Sequence, residues 1–112
     1  MKKWSIAILF LLSSICLFAQ DIFGAAKFGT PQDVLAAIKA GASLNERDNL
    51  GMTPLMWAAT NNANPEVVMI LLKAGANGKT KSLEGKTAFD YAKDNPNIKD
   101  TAAYWALNNA RF

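Results

Sequence analysis

Apolar positions along the chain fall into one long unbroken run and several short periodic ones. The long run covers residues 4–19, WSIAILFLLSSICLFA, and contains no charge. After it, apolar residues return at helical spacing. Leu55, Ala58 and Ala59 stand at i, i+3 and i+4, the signature of one buried helical face. Thr53 precedes them as an N-cap, and Pro54 takes the first helical position, where its missing N–H is no loss. The polar run 60–64 ends this short helix. Pro65 and Glu66 then open a second one, whose apolar faces come from Val67, Val68, Ile70, Leu71 and Leu72. Gly75 suits the left-handed position at its C-terminus. Residues 77–84 carry the chain onward in extended form. The predicted unit is helix, tight turn, helix, extended loop.

That unit recurs. Lys39-Ala40-Gly41-Ala42 returns as Lys73-Ala74-Gly75-Ala76, and Gly51-Met52-Thr53 as Gly85-Lys86-Thr87, both at a shift of 34. At the same shift Pro31 maps onto Pro65, Val34 onto Val68, Leu55 onto Phe89, Trp57 onto Tyr91 and Ala58 onto Ala92. Agreement of separate stretches at one offset marks a stacked repeat array. The first unit reads as a helix over 22–27, a turn at 28–30 and a second helix over 31–40. The last unit runs as a helix over 87–93, breaks at Asn95-Pro96-Asn97 and resumes around 99–108. Phe112 either packs on that last helix or frays.

The phrase GMTPLMWAA at 51–59 and the segment PEVVMILLKAGA at 65–76 resemble the ankyrin repeat, matching TPLHxAA and EVVxLLLxxGA in the right order and with the right gap. The resemblance covers the chain from about Phe23 to its end. It implies an all-α ankyrin-repeat solenoid, with paired antiparallel helices joined by extended hairpin-like loops. The units fall at about 20–46, 47–79 and 80–112. Three departures stand out. Met56 takes the place of a histidine that in the family helps to hold the turns by hydrogen bonds. Gly78 stands where an apolar residue is usual, as Leu44 is one unit earlier. The last unit lacks the terminal Gly-Ala phrase, as a closing cap should.

Lys2 and Lys3 before the long apolar run, and Gln20 and Asp21 after it, give residues 1–19 the layout of a secretory leader. Cleavage after Ala19 predicts a periplasmic or secreted bacterial protein. The alternative is a retained signal anchor. The leader also changes the charge. The 112-residue chain has 12 basic and 9 acidic residues, but two of the basic ones leave with the leader, and the remaining domain is nearly neutral. It has no basic stripe of the kind that nucleic acid requires. Cys16 is the only cysteine and lies in the leader, so the domain is held by packing without an internal disulfide.

Little chemistry is available. The chain has no histidine, and no GxxxxGK[ST] loop is present. Asp90 and Asp94 share a helix face, but Lys86 and Lys93 stand beside them and both read as solvated surface acids. No catalytic residue, metal ligand or cofactor is expected. A protein partner is expected instead, held by a monomer on the concave face that ankyrin loops and inner helices form. The candidate contacts are Arg47, Asn49, Leu50, Met52, Met56, Trp57, Lys81 and Leu83. Leu50 and Leu83 sit near successive loop tips, where an apolar side chain is either a contact patch or packed on its neighbour. Trp57 and Tyr91 either stack between units or, for Trp57, reach a partner. Two further roles fit a small exported domain: an inhibitor or immunity protein for a secreted or periplasmic enzyme or toxin, and a structural envelope protein.

Overall fold

A computed structural model describes residues 21–112, so the leader read at 1–19 lies outside the described residues. Those residues form six α-helices: α1 (Ile22–Phe28), α2 (Pro31–Lys39), α3 (Pro54–Asn61), α4 (Pro65–Lys73), α5 (Ala88–Ala92) and α6 (Ala102–Ala110). No strand occurs among them, and none of their helices is long and apolar enough to cross a membrane.

Local chemistry explains where the helices begin. Thr30, Thr53, Thr87 and Thr101 each accept a backbone N–H from the first turn of the helix that follows. Asn64 does the same for α4. Proline occupies the first turn of α2, α3 and α4. At Thr30/Asp33 and Thr87/Asp90 the cap is reciprocal, because the aspartate also accepts the amide of the capping threonine. Gly41 and Gly75 end α2 and α4 at φ 89° and 105°, which glycine adopts without strain. α6 starts at Ala102, not near residue 99 as the sequence pattern suggests. Asp100 turns the chain through φ 65° first, leaving Thr101 to cap.

The helices stack in two layers. α1, α3 and α5 form the inner row, and α2, α4 and α6 the outer. Alanines at the inner contacts, Ala26, Ala58, Ala59 and Ala92, let backbones approach closely, and all are fully buried. Leu55, Met56, Val67, Val68, Leu71, Ile98 and Leu107 fill the space between layers. Burying such side chains supplies about 1.5–3 kcal/mol each, set against chain entropy.

Gly78 now has a cause. A Cβ there would lie 2.6 Å from the Cβ of Ala110, so the glycine lets α6 close onto the second loop. Phe112 does not pack on α6. It is 79% exposed, and the Arg111 guanidinium stacks 4.7 Å from its ring and 4.6 Å from that of Phe89.

Candidate functional site

Two hairpin turns project beside the inner helices. In the first, Asp48 N–H donates to Met52 O (3.0 Å) and Gly51 N–H to Asp48 O (2.9 Å). In the second, Ser82 N–H donates to Lys86 O and Gly85 N–H to Ser82 O, both at 2.9 Å. Gly51 and Gly85 close these turns at φ 72° and 77°. The two hairpins are pinned to each other. Leu83 N–H donates to Leu50 O (3.0 Å), and Arg47 Nη2 donates to Lys81 O (2.6 Å) while its Nε donates to Gly51 O (3.1 Å).

Each hairpin is also latched to its inner helix by an aromatic residue nine positions on. Trp57 Nε1 donates to Asp48 Oδ2 at 2.7 Å, and Tyr91 Oη pairs with Ser82 Oγ at 2.8 Å. Asp48/Trp57 and Ser82/Tyr91 are the same pair one unit apart. Partial burial works to raise the Asp48 carboxyl. The Trp57 indole, the amides of Met52 and Leu50 and the charge of Lys27 outweigh it and hold the carboxyl below its ordinary value. Asp90 is likewise lowered, first by the Thr87 amide, against the opposing effect of burial, and with further help from the Thr87 hydroxyl and Lys93. It serves as a helix cap.

The sequence-derived candidates separate into three groups. Leu50 and Leu83 are 55% and 74% exposed on adjoining hairpins, and Asn49 and Lys81 are exposed beside them. Trp57 is half-buried, with Lys27 Nζ 4.2 Å from its ring centre. It does not stack on Tyr91, because each ring is turned toward its own hairpin; the aromatic pairs are Phe89–Tyr104 and Tyr104–Trp105. Met52 and Met56 must be withdrawn as contact residues. They are 4% and 1% exposed, Met56 packing in the core at the first turn of α3. Arg47 is not a free rim charge either, since its guanidinium bridges the hairpins.

Sequence reasoning missed two buried asparagines. Asn62 Nδ2 donates to Ala26 O (2.9 Å) and Gly29 O (3.1 Å), and Asn95 Nδ2 to Ala59 O (3.0 Å) and Asn62 O (2.9 Å). Each thus reaches back one unit to cap the preceding inner helix. Read as turn residues, they gave no hint of this; their shared step of 33 was the available signal.

The repeated helix pairs, with their two pinned hairpins, match a family model described as ankyrin repeats (3 copies) across residues 22–107. The chain belongs to the ankyrin-repeat family. Among curated relatives, it is similar to protein fem-1 homolog C of Bos taurus, Mus musculus and Homo sapiens, each 38% identical over 64 residues. The match covers 57% of this chain and 10% of each relative, so the chain spans about a tenth of their length. Ankyrin-repeat domains generally mediate protein–protein interaction. This ankyrin domain carries no catalytic motif, and no cluster of metal-ligating side chains forms among the described residues. It is a non-enzymatic module.

Proposed function

We propose that the protein is an exported interaction module that binds one protein partner as a monomer, through its hairpins and inner helices. The carrying observation is the pair of leucines, Leu50 and Leu83, left 55% and 74% exposed on hairpins whose backbones are already fixed. A preorganised apolar contact loses little entropy on binding. Half-buried Trp57, held by Asp48 and overlain by Lys27, adds a rigid aromatic surface on α3, behind the first hairpin. Charges of both signs lie around these groups, with Glu84 and Lys86 paired at 3.7 Å, so steering by a single-sign field plays little part.

Export rests on the leader at 1–19, and the destination proposed is the periplasm or medium. Mass spectrometry of the native protein tests this: an N-terminus at Gln20 supports cleavage, and an intact Met1 supports an anchor. Binding is tested by affinity capture from periplasm and culture supernatant. A partner retained by the wild type is lost from a Leu50→Ser/Leu83→Ser variant that keeps its helical circular dichroism. Equal capture by both would remove the hairpin leucines from the interface.

A further inference from the structure

The way the second hairpin sits on the first shows what the second hairpin can itself receive. At the inner junction, Gly51 forms the floor of a seat. A Cβ on Gly51 would lie 3.0 Å from Leu83 N and 3.1 Å from Leu83 Cγ, so the bare glycine is what lets Leu83 settle there. Leu50 C=O accepts the Leu83 amide, and Arg47 donates to the carbonyl two residues earlier, at Lys81. The seat therefore has three parts: a glycine floor at positive φ, a carbonyl acceptor one residue before it, and a cation four residues before it.

All three recur at a shift of 34. Gly85, at φ 77°, replaces Gly51; Glu84 C=O replaces Leu50 C=O; Lys81 replaces Arg47. The hairpins that carry them share one geometry. Asp48 Oδ1 accepts the amide two residues on, and so does Ser82 Oγ. In contrast to Gly51, however, no atom lies within 4 Å of where a Cβ on Gly85 would be.

We infer that the outer edge of the second hairpin, built from Lys81, Glu84 and Gly85, docks a turn or extended segment of a protein partner that presents an aliphatic side chain. The partner's aliphatic residue rests on Gly85 and its amide donates to Glu84 C=O. The carbonyl two residues earlier accepts from the Lys81 ammonium. A lysine suits this less rigid role, since its three donors rotate. The occupant is not a second copy. The residue that a second copy's first hairpin would place on the seat is Asn49, which stands where Leu83 stands one unit later and has no aliphatic group. The second hairpin of such a copy already spends Leu83 on its own Gly51. This inference rests on the hairpin face being the interface and specifies which edge of it receives the partner backbone.

The internal contact supplies the probe: a backbone-cyclised peptide with the sequence KTKSLEGK of residues 79–86. It is titrated into the isotopically labelled full chain and followed by amide NMR. Saturable shifts are expected at Lys81, Glu84 and Gly85, in the millimolar range normal for a few contacts. A peptide with Asn in place of its leucine should bind about tenfold more weakly or not at all. Gly85→Asn tests the seat in the protein, because asparagine tolerates positive φ while its side chain covers the floor. With its circular dichroism unchanged, this variant should lose the shifts. No response at the second hairpin up to about 10 mM peptide, or shifts that survive Gly85→Asn, would overturn the inference. Shifts of Gly85 with protein concentration alone would do so too, by placing a second copy on the seat. Should the natural partner be lost by Leu50→Ser/Leu83→Ser yet retained by Gly85→Asn, the seat is wrong while the interaction face stands.

Discussion

Asn95 offers the sharpest test of how the units are joined. It is 5% exposed, and its side chain makes three hydrogen bonds: two donated from Nδ2, to Ala59 O at 3.0 Å and Asn62 O at 2.9 Å, and one accepted from Asn97 N–H at 3.0 Å. Asn95→Ala removes all three. The Asn97 amide belongs to an exposed residue and can turn to water. The two carbonyls lie at the buried end of α3 and cannot. At about 1–3 kcal/mol for each buried group left unpartnered, the loss is about 2–4 kcal/mol. A domain of this size has a total stability of about 5–14 kcal/mol. The corresponding fall in Tm is about 10–25 °C. Urea denaturation followed by circular dichroism measures the change directly. Asn95→Asp sharpens the reasoning, since it keeps the acceptor for Asn97 but sets an anionic oxygen against two carbonyls. It should cost more than alanine at neutral pH. Desolvation and the facing carbonyls raise that carboxyl above its unfolded value of about 3.9. The variant is therefore least impaired below about pH 4 and loses stability as the pH rises through its folded pKa. A loss below about 0.5 kcal/mol for Asn95→Ala, or an aspartate tolerated as well as alanine at neutral pH, would refute the role given to the amide.

Further outcomes follow from single contacts. Leu71 is fully buried between the layers, so Leu71→Ala should cost about 2–4 kcal/mol in chemical denaturation, and a loss below about 1 kcal/mol would show that the site is not core. Gly78→Ala drives a methyl to 2.6 Å from Ala110 Cβ and should cost about 1–3 kcal/mol, with amide exchange rising first in α6 and partial recovery on adding Ala110→Gly. Asp48 has a folded pKa below its unfolded value, so its contribution is present above about pH 4 and fades as the pH falls through the lowered pKa. The Trp57 indole N–H resonance should titrate together with the Asp48 carboxyl, and in Asp48→Ala it should move toward its free position and lose that pH dependence.

Much of the fold could be read from residue types alone because each signal was local. Thr53-Pro54 and Pro65 mark helix starts through one backbone group, and Gly41 and Gly75 mark ends through one dihedral. Contacts between units were less legible. The same residue type serves opposite purposes there: Asn49 is exposed on a hairpin, whereas Asn62 is buried and caps a helix 33 residues back. Methionine misled in a similar way. Met56 was credited with reaching a partner because it departs from the family's histidine, yet its position on α3 turns it into the core, where an unbranched thioether fills the space. Trp57 was left between packing and binding, and its two atoms classes divide the roles: the indole nitrogen is spent on Asp48, while the ring face stays half-open under Lys27.

The inter-unit devices share a logic that bears on where a partner docks. Each is a side chain or amide of one unit satisfying a backbone group of the unit before it, so each leaves a mark where the series stops among the described residues. For the asparagine device the mark lies at the first unit. Gly29 closes α1 where Asn62 closes α3, and no earlier inner helix among the described residues needs an amide. For the hairpin device it lies at the last hairpin, where Gly85 and Glu84 C=O repeat the seat of Gly51 and Leu50 C=O with nothing upon it. A glycine at positive φ closes either turn equally well, so turn geometry alone cannot tell the two apart. What separates them is occupancy: one floor is covered by Leu83 and the other is open. The edge that stacking leaves unsatisfied is therefore the edge already shaped to take backbone from outside.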